Sequence, residues 1–436
     1  MVRNNNSVKN KVLMGLFIIG LTLLLALRDI GSIGINRFVY LGFIIGCAFF
    51  ANGESVFCMI AFISPLLWGL PGGFILPVMI GVHFYKNREK VSKQFLVFTL
   101  FFVLLEIFDS LFYIDFDVIS YVKYISHLAV LYMLLYEQGR ANDRILSYFM
   151  LGITVLCSLV IISNIKSAPS NWLELFAKGW YRFGGDLRKD EEAGMGLIVN
   201  ANTLAYYSIV GLACGAFTLF CSSRKEKTNL GILVQMAVYF IAGVLTLSRT
   251  WMLCCVILII LILKVAMRSI RSFFYGIFAL LMACCGVVFF ISNNPDIMTG
   301  ITTRLFEASS YASVSTAGGR TVLFAAYWEA FISNVRTIIT GTGVVGYKEI
   351  TGIYNSMHNA LQQIIVCMGI PGGIVFIVSL AIPVLKHRKK KLVYWMPWII
   401  VVLFVQSIQF LNPEALMLPY GMSCLVFGME NKNKQK

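Results

Sequence analysis

The sequence predicts an all-α integral membrane protein with about 12 to 14 transmembrane helices. Of its 436 residues, 58% are hydrophobic and 13% are charged, and this is about half the charged fraction of an average soluble domain. Long apolar runs recur along the chain, and short polar clusters separate them. A soluble core cannot bury this much apolar surface, and a β-barrel would show short alternating segments instead. We therefore exclude a soluble enzyme and expect residues 1–436 to form a single integral membrane domain.

The length of each apolar run predicts a helix. A helix needs about 20 residues to cross a hydrocarbon core that is ~30 Å thick, because its rise is about 1.5 Å per residue. Between residues 38 and 85 the runs are short, so either three short helices or two helices with a re-entrant segment fit. The runs predict membrane helices over residues 12–27, 38–51, 55–69, 72–85, 94–113, 118–136, 145–163, 198–220, 230–247, 250–266, 272–292, 358–385, 392–411 and 415–430.

The distribution of the 36 Lys and Arg residues predicts the orientation in the membrane. The side that holds both termini carries about twice as many of these cations as the other side, and cations are enriched on the cytoplasmic side. We therefore place both termini in the cytoplasm. Two long segments, residues 164–197 and 293–357, then lie on the outer face, and segments of this length are usually functional or disordered.

Net charge and cysteine content exclude two further classes of protein. The net charge is +15, but the cations adjoin membrane helices, where they meet lipid headgroups, so we expect no nucleic-acid partner. The 11 cysteines lie in or at the ends of apolar runs, and none has C-x-x-C spacing. We interpret them as small apolar residues of the membrane domain rather than as zinc ligands or a redox pair.

The second long outer segment contains an amphipathic helix. Residues 320–333 place apolar side chains on one helical face, and two glycines precede them. Aromatic side chains on such a face are typical of a helix in the membrane interface. The face consists of Leu323, Ala326, Tyr327, Ala330 and Phe331.

Arg249 lies in a tight outer turn between two predicted membrane helices. Its side chain can reach outward to lipid headgroups, which would give it no specific role. Alternatively it points into a cavity and binds an anion, because a planar guanidinium binds phosphate through paired hydrogen bonds and stays charged. The sequence around Arg249 leaves both interpretations open.

His358 lies where the long outer segment enters the next membrane helix, and Asn359 follows it. One interpretation is a helix-capping residue. The other is a general base, because histidine titrates near neutral pH and this position is accessible to substrate.

A third polar group lies within the membrane. Glu106 and Asp109 end one predicted helix, and Lys123 and His127 begin the next. An antiparallel hairpin would place Asp109 opposite Lys123 and Glu106 opposite His127. Because ionisable groups at this depth are costly unless paired, we expect a structural clasp, with a proton or ion pathway as the functional alternative.

Four short patterns together resemble the family of O-antigen ligases and O-antigen polymerases of the Wzy type, bacterial envelope glycosyltransferases. The resemblance covers roughly residues 180–385. The patterns are Asn200-Ala201-Asn202, similar to N-P-N with alanine for proline; Arg249 to Leu253, similar to R-x-x-x-L; Gly319-Arg320, Trp328 and Gly341-Thr342-Gly343, similar to G-R, W and G-x-G; and His358-Asn359 with Gly369 and Gly372, similar to H-N-x9-G-x-x-G.

The resemblance implies glycosyl transfer without a metal or another cofactor. Diphosphate is a good leaving group, so the reaction needs cations that stabilise its developing charge rather than a general acid. The acceptor hydroxyl has a high pKa and needs a base as it attacks the anomeric carbon. The residues implied are His358, Arg249 and Arg320 as catalytic residues, and Arg182, Arg304, Asn359 and Asn202 as substrate-binding residues.

The same resemblance implies the partners and the location. Donor and acceptor would be glycans on undecaprenyl diphosphate, and membrane lipids, a flippase and a chain-length regulator would be further partners. The protein would lie in the bacterial cytoplasmic membrane.

Three functions stay open from the sequence. The preferred one is polymerisation of lipid-linked repeat units of an O-antigen, capsule or exopolysaccharide. The second is a ligase that transfers finished glycan to lipid A core or another acceptor. The third is a polysaccharide transporter or flippase, which would require midplane charges and an internal repeat.

Overall fold

A computed structural model of the protein describes residues 2–70, 72–87, 91–113, 115, 117–136, 142–177, 181–184, 200–221, 226–266, 320–411 and 416–429, with isolated positions between 274 and 299. Within these ranges the chain is helical and contains no β-strand. The predicted all-α fold is therefore confirmed. The predicted helix over residues 272–292 lies mostly outside the described residues.

The helices of the first half cover the predicted apolar runs, although the first, Val2–Asp29, begins ten residues before its run and Trp172–Ala177 lies in the predicted outer segment 164–197. A short 3-10 helix, Ser64–Gly69, continues α3, so residues 38–85 form three helical segments. The α-helices are α1 (Val2–Asp29), α2 (Arg37–Phe50), α3 (Gly53–Ile63), α4 (Gly72–Asn87), α5 (Lys93–Ser110), α6 (Val118–Tyr136), α7 (Asn142–Ser167), α8 (Trp172–Ala177) and α9 (Ala201–Cys221).

The second half holds long apolar helices and three shorter ones from the outer segment. The α-helices are α10 (Glu226–Leu245), α11 (Arg249–Ala266), α12 (Arg320–Ile332), α13 (Val335–Thr340), α14 (Tyr347–Thr351), α15 (Ala360–Leu385), α16 (Leu392–Val405) and α17 (Leu418–Cys424), and a 3-10 helix, Leu425–Gly428, continues α17.

Six of the described helices are long and apolar enough to cross a membrane: α1 from Lys9, α6, α7, α9, α11 and α15. Shorter apolar helices lie beside them, α2, α3, α4, α10, α16 and α17. Helix α9 forms the centre of the bundle, because 78% of its apolar window is buried, against 22% for α1 and α11. The chain is thus a multi-pass membrane protein with lipid-facing helices around a buried core.

The break in α15 organises the outer end of the bundle, by which we mean the end that carries residues 320–359. Gly369 has φ 67° and ψ 175° inside this helix, and Pro371 follows with no N–H to donate. The carbonyls of Val366 and Cys367 therefore lack their usual helical donors. They accept instead from Thr342 and Gly343, whose backbone N atoms lie 3.0 Å and 2.9 Å away. The outer segment thus folds back against the middle of a membrane helix.

This backbone contact leaves no room for side chains. A Cβ atom on Gly369 would lie 2.3 Å from the Ile339 carbonyl oxygen, and one on Gly341 would lie 2.2 Å from the Cys367 carbonyl oxygen. Both glycines also have positive φ, which other residues rarely adopt. The glycines of the predicted G-x-G and H-N-x9-G patterns therefore meet at one junction.

The second half of α15 is held by hydroxyl groups. Pro383 removes the N–H that would bond to the Ser379 carbonyl, and the hydroxyl of Tyr136 donates to that carbonyl at 2.5 Å. The Tyr132 hydroxyl lies 2.7 Å from the Ser379 hydroxyl, and the Tyr420 hydroxyl donates to the Leu380 carbonyl at 3.1 Å. Helix α15 is therefore fixed to α6 and α17 on the C-terminal side of its break.

Candidate functional site

A cavity of about 330 Å³ opens at the outer end of α15. This volume lies within the range of small-molecule sites. Its walls come from α12, from the first turn of α15 and from the residue that follows α16. The lining residues are Arg320, Thr321, Leu323, Phe324, Tyr327, Met357, His358, Asn359, Gln362 and Gln406. The structure thus brings together three of the predicted site residues, Arg320, His358 and Asn359.

Asn359, and not His358, caps α15. The Asn359 side chain accepts a hydrogen bond from the Gln362 backbone N at 2.9 Å, and its backbone is extended, as is usual for an N-cap. The interpretation of His358 as the capping residue is therefore wrong. The cap leaves the preceding imidazole free to face the cavity, and its Nδ1 atom is buried without a hydrogen-bond partner among the described residues.

The surroundings of His358 favour the neutral imidazole. Burial and the positive charge of Arg320 together lower the pKa of His358 from 6.5 to about 4, and burial makes the larger contribution. At neutral pH the ring is therefore uncharged and able to accept a proton. This is the protonation state that a general base requires.

Helix α12 is held against α15 by side chain to backbone hydrogen bonds. Gln362 Nε2 donates to the Phe324 carbonyl at 2.7 Å, and the Tyr327 hydroxyl donates to the carbonyls of Ile353 and Asn355 at 3.0 Å and 2.5 Å. The predicted amphipathic face is confirmed. Tyr327 and Phe331 are buried, Leu323, Ala326 and Ala330 are half-buried, and Val322 and Ile332 on the other faces are exposed. The packing of this face positions Arg320 at the mouth of the cavity.

Arg182 bonds both to Asn202 and to the turn that precedes α11. Arg182 donates from Nε to the Thr246 carbonyl at 2.7 Å and from Nη2 to Asn202 Oδ1 at 3.0 Å. The Phe183 backbone N also donates to the Leu245 carbonyl at 3.1 Å. Arg249 follows this turn as the first residue of α11 and is half-buried. We call Arg182, Asn202 and Arg249 the arginine–asparagine cluster.

The arginine–asparagine cluster does not line the His358 cavity. Both lie at the outer end of the bundle, because Tyr206, one turn after Asn202 in α9, stacks on Phe404 near the end of α16, with ring centroids 5.2 Å apart. Gln406, the residue that follows α16, lines the cavity. The end of α16 therefore connects the two groups. Arg304 lies outside the described residues.

Glu106 has a role that the sequence reasoning missed. Its Oε2 accepts from the Val344 backbone N at 2.8 Å, and its Oε1 accepts from the Val345 backbone N at 3.0 Å and from the Tyr113 hydroxyl at 2.8 Å. Only 3% of the residue is exposed. The carboxyl group of Glu106, in α5, thus binds the backbone of the outer segment.

The expected clasp between α5 and α6 is not formed among the described residues. Glu106 bonds to the outer segment rather than to His127, whose ring nitrogens are buried without hydrogen-bond partners in the described part of the chain. Asp109 makes no ion pair with Lys123 there. The expectation failed because it considered only the hairpin partner of α5, while residues far along the chain supply the donors. This engagement of Glu106 also weakens the transporter alternative.

The described residues hold no group of three or more His, Cys, Asp or Glu side chains that could bind a metal ion. The chemistry available at the cavity is that of a guanidinium, a neutral imidazole and carboxamides. These groups can bind an anion, accept a proton and hydrogen-bond to hydroxyl groups.

Fold and site together define a multi-pass α-helical membrane protein with an imidazole–guanidinium cavity at the end of its bundle. Residues 234–377 match the family model Wzy_C, described as O-antigen ligase. This region contains Arg249, Arg320 and His358. This match supports membership of the O-antigen ligase/polymerase family and a glycan-handling membrane enzyme of that type. No curated protein matches the chain.

Proposed function

We propose that the protein polymerises oligosaccharide repeat units carried on undecaprenyl diphosphate, at the outer face of a bacterial cytoplasmic membrane with both termini in the cytoplasm. The observation that carries this proposal is that His358 and Arg320 line one cavity at the outer end of α15. Family membership supports the glycan chemistry, and the surrounding apolar helices suit a substrate that is anchored in lipid.

In the proposed reaction, a hydroxyl oxygen of the acceptor sugar attacks the anomeric carbon of the donor. A new glycosidic bond forms, and the bond from the anomeric carbon to the diphosphate oxygen breaks with its electron pair. His358 takes the hydroxyl proton, and Arg320 stabilises the charge that develops on the departing diphosphate. Asn359, which lines the same cavity, would hydrogen-bond to sugar hydroxyls.

Arg249 remains a predicted contact to the diphosphate. It lies at the same end of the bundle as His358, although it does not line the described cavity. A glycan on a diphosphate is an extended molecule, so its phosphates and its transferred sugar can contact different walls. The arginine–asparagine cluster already orients Arg182 and Asn202 toward each other, which suits an anion site.

The proposal is tested with purified full-length protein and lipid-linked repeat units, with the product sized on a gel. We expect the wild-type protein to extend the glycan, and His358→Ala and Arg249→Ala to leave single repeat units at normal protein abundance. His387→Gln is a matched control, because this histidine follows α15 at its opposite end and stacks on Phe427. Full-length polymer from both alanine variants would refute the assignment of these residues.

A ligase is the second candidate, because the matched family is itself described as O-antigen ligase. The same assay distinguishes the two functions when lipid A core is supplied as a competing acceptor. A polymerase extends the lipid-linked glycan, whereas a ligase transfers the glycan once to the core. Exclusive transfer to the core would replace the polymerase proposal with the ligase.

A further inference from the structure

The turn at residues 341–345 is bonded from two sides. Thr342 and Gly343 donate their backbone N–H groups to the carbonyls at the break of α15, and Val344 and Val345 donate theirs to Glu106. Each donor of this run therefore has an acceptor. The turn joins α5 to the first half of α15, although these helices are far apart in sequence.

The first half of α15 carries the cavity. Val366 lies about 9 Å along the helix axis from Ala360, at about 1.5 Å per residue, and His358 and its capping neighbour precede Ala360. Gln362, on the first turn, bonds to α12, which carries Arg320. A displacement of the turn would therefore change both the height of His358 and its distance from the guanidinium.

The hydrogen bonds at Glu106 require two acceptor oxygens. The two backbone donors bond to different oxygens, Val344 to Oε2 and Val345 to Oε1. A glutamine amide has one oxygen and one NH₂ group, so in either orientation one of the two N–H groups would face another donor. Tyr113 tolerates either orientation, because its hydroxyl both donates and accepts.

We propose that Glu106 is a positioning residue that fixes the 341–345 turn in the break of α15 and thereby holds His358 in the cavity that Arg320 lines. The proposal rests on the proposed function only for the chemical role of His358. The placement itself is measurable without any activity. Glu106 acts through the turn, and the substrate does not contact it.

Hydrogen–deuterium exchange on purified full-length protein tests the first step. In Glu106→Gln, the backbone amides of Val344 and Val345 should exchange about tenfold faster or more, because one buried hydrogen bond is replaced by opposed donors. Thr99→Val is the control on the same helix. It keeps the shape of the side chain, lies about two turns from Glu106, and removes a hydroxyl that has no hydrogen-bond partner among the described residues. Equal exchange in the two variants would overturn the proposal.

The pH dependence of His358 modification tests the second step. Diethyl pyrocarbonate reacts with neutral imidazole, and mass spectrometry resolves His358 from the other histidines. In wild-type protein we expect a midpoint near the lowered pKa of about 4, set by burial and by Arg320. Among the cavity-lining residues, Tyr327 is the other titratable group, and burial raises its pKa far from this range.

In Glu106→Gln the midpoint should move up toward 6.5, as His358 loses burial and the influence of Arg320. A merely structural role of Glu106 would reduce the amount of folded protein and leave the midpoint in place. Faster amide exchange with an unchanged midpoint would therefore also overturn the proposal.

A second variant, and the polymer assay on wild-type protein, separate the possible outcomes. If Glu106→Gln does not fold, Tyr113→Phe removes one of the three hydrogen bonds to the same carboxylate and should shift both measurements less, in the same direction. Unchanged values in Tyr113→Phe would then count against the proposal. If wild-type protein forms no polymer, the proposed function fails, while exchange and modification still decide the role of Glu106.

Discussion

The pKa of His358 makes the proposed mechanism accessible to pH measurements. Burial and Arg320 lower this pKa from 6.5 to about 4 in the protein without substrate. At pH 7 a pKa of 4 leaves about 0.1% of the imidazole protonated, against about 24% for a pKa of 6.5. The base is therefore available throughout the neutral range, although a base of such low pKa is intrinsically weak.

Binding of the donor should raise the pKa of His358 and so make it a stronger base. A diphosphate beside Arg320 adds negative charge near the imidazole, which offsets the guanidinium and favours the imidazolium form. We therefore expect the acid limb of kcat/KM, which reports the free enzyme, near pH 4, and the acid limb of kcat, which reports the substrate complex, at a higher pH. Arg320→Gln should move the kcat/KM limb upward, but not as far as 6.5, because burial makes the larger contribution to the shift.

The assay is glycan extension by purified protein at a series of pH values, with varied lipid-linked donor. A kcat/KM limb at or above pH 6.5 in wild-type protein would refute the reasoning, and so would an identical limb in Arg320→Gln. The same pKa shift also makes the stability of the folded protein depend on pH. The unfolded chain binds this proton first, so the folded state loses stability as the pH falls from 6.5 toward 4.

Three further predictions concern single residues. Arg249→Lys should lose polymer formation as Arg249→Ala does, because an ammonium lacks the planar pair of donors, and normal polymer length on a gel would contradict this. Gly369→Ala should lower the thermal midpoint of the purified protein. Its φ of 67° with ψ of 175° is a conformation that essentially only glycine adopts and costs another residue about 1–3 kcal/mol, and the new Cβ would lie 2.3 Å from the Ile339 carbonyl oxygen. Gly231→Ala, where a Cβ meets open space, is the control. Gln363→Leu should also lower this midpoint, by leaving the buried N–H groups of Phe410 and Leu411 without their acceptor at about 1–3 kcal/mol each, and an unchanged midpoint would contradict this reasoning.

Apolar run length was sufficient to predict the helices of the described bundle. The run over 118–136 is reproduced as Val118–Tyr136, and the run over 250–266 begins one residue earlier, at Arg249. The reason is physical, because backbone groups that face lipid must be bonded within their own helix, so apolar length determines the helix. The amphipathic helix of the outer segment followed from its period of apolar residues for a similar reason.

The site was only partly predictable. The family resemblance implied that His358 and Arg320 belong to one site, and they do line one cavity. Sequence spacing did not indicate that α16 would supply Gln406 to the same cavity, or that Glu106 would bind the backbone of Val344 and Val345. These contacts join residues far apart along the chain, and an isolated helix pattern contains no information about its distant partners. The unusual carboxylate within an apolar helix was the available signal, and it was assigned to the wrong partner.

The anchoring of α15 determines which part of the protein can give way during a reaction cycle. Hydroxyls of α6 and α17 hold this helix below its break, and backbone hydrogen bonds hold it at the break. By contrast, α12 meets it through the amide of Gln362 and exposes Val322 and Ile332 on its opposite faces. In the proposed polymerisation, a lengthening sugar chain leaves the cavity after every addition. Because α15 is held at and beyond its break, we expect it to stay still during that exit, so each new unit would meet an imidazole at the same height.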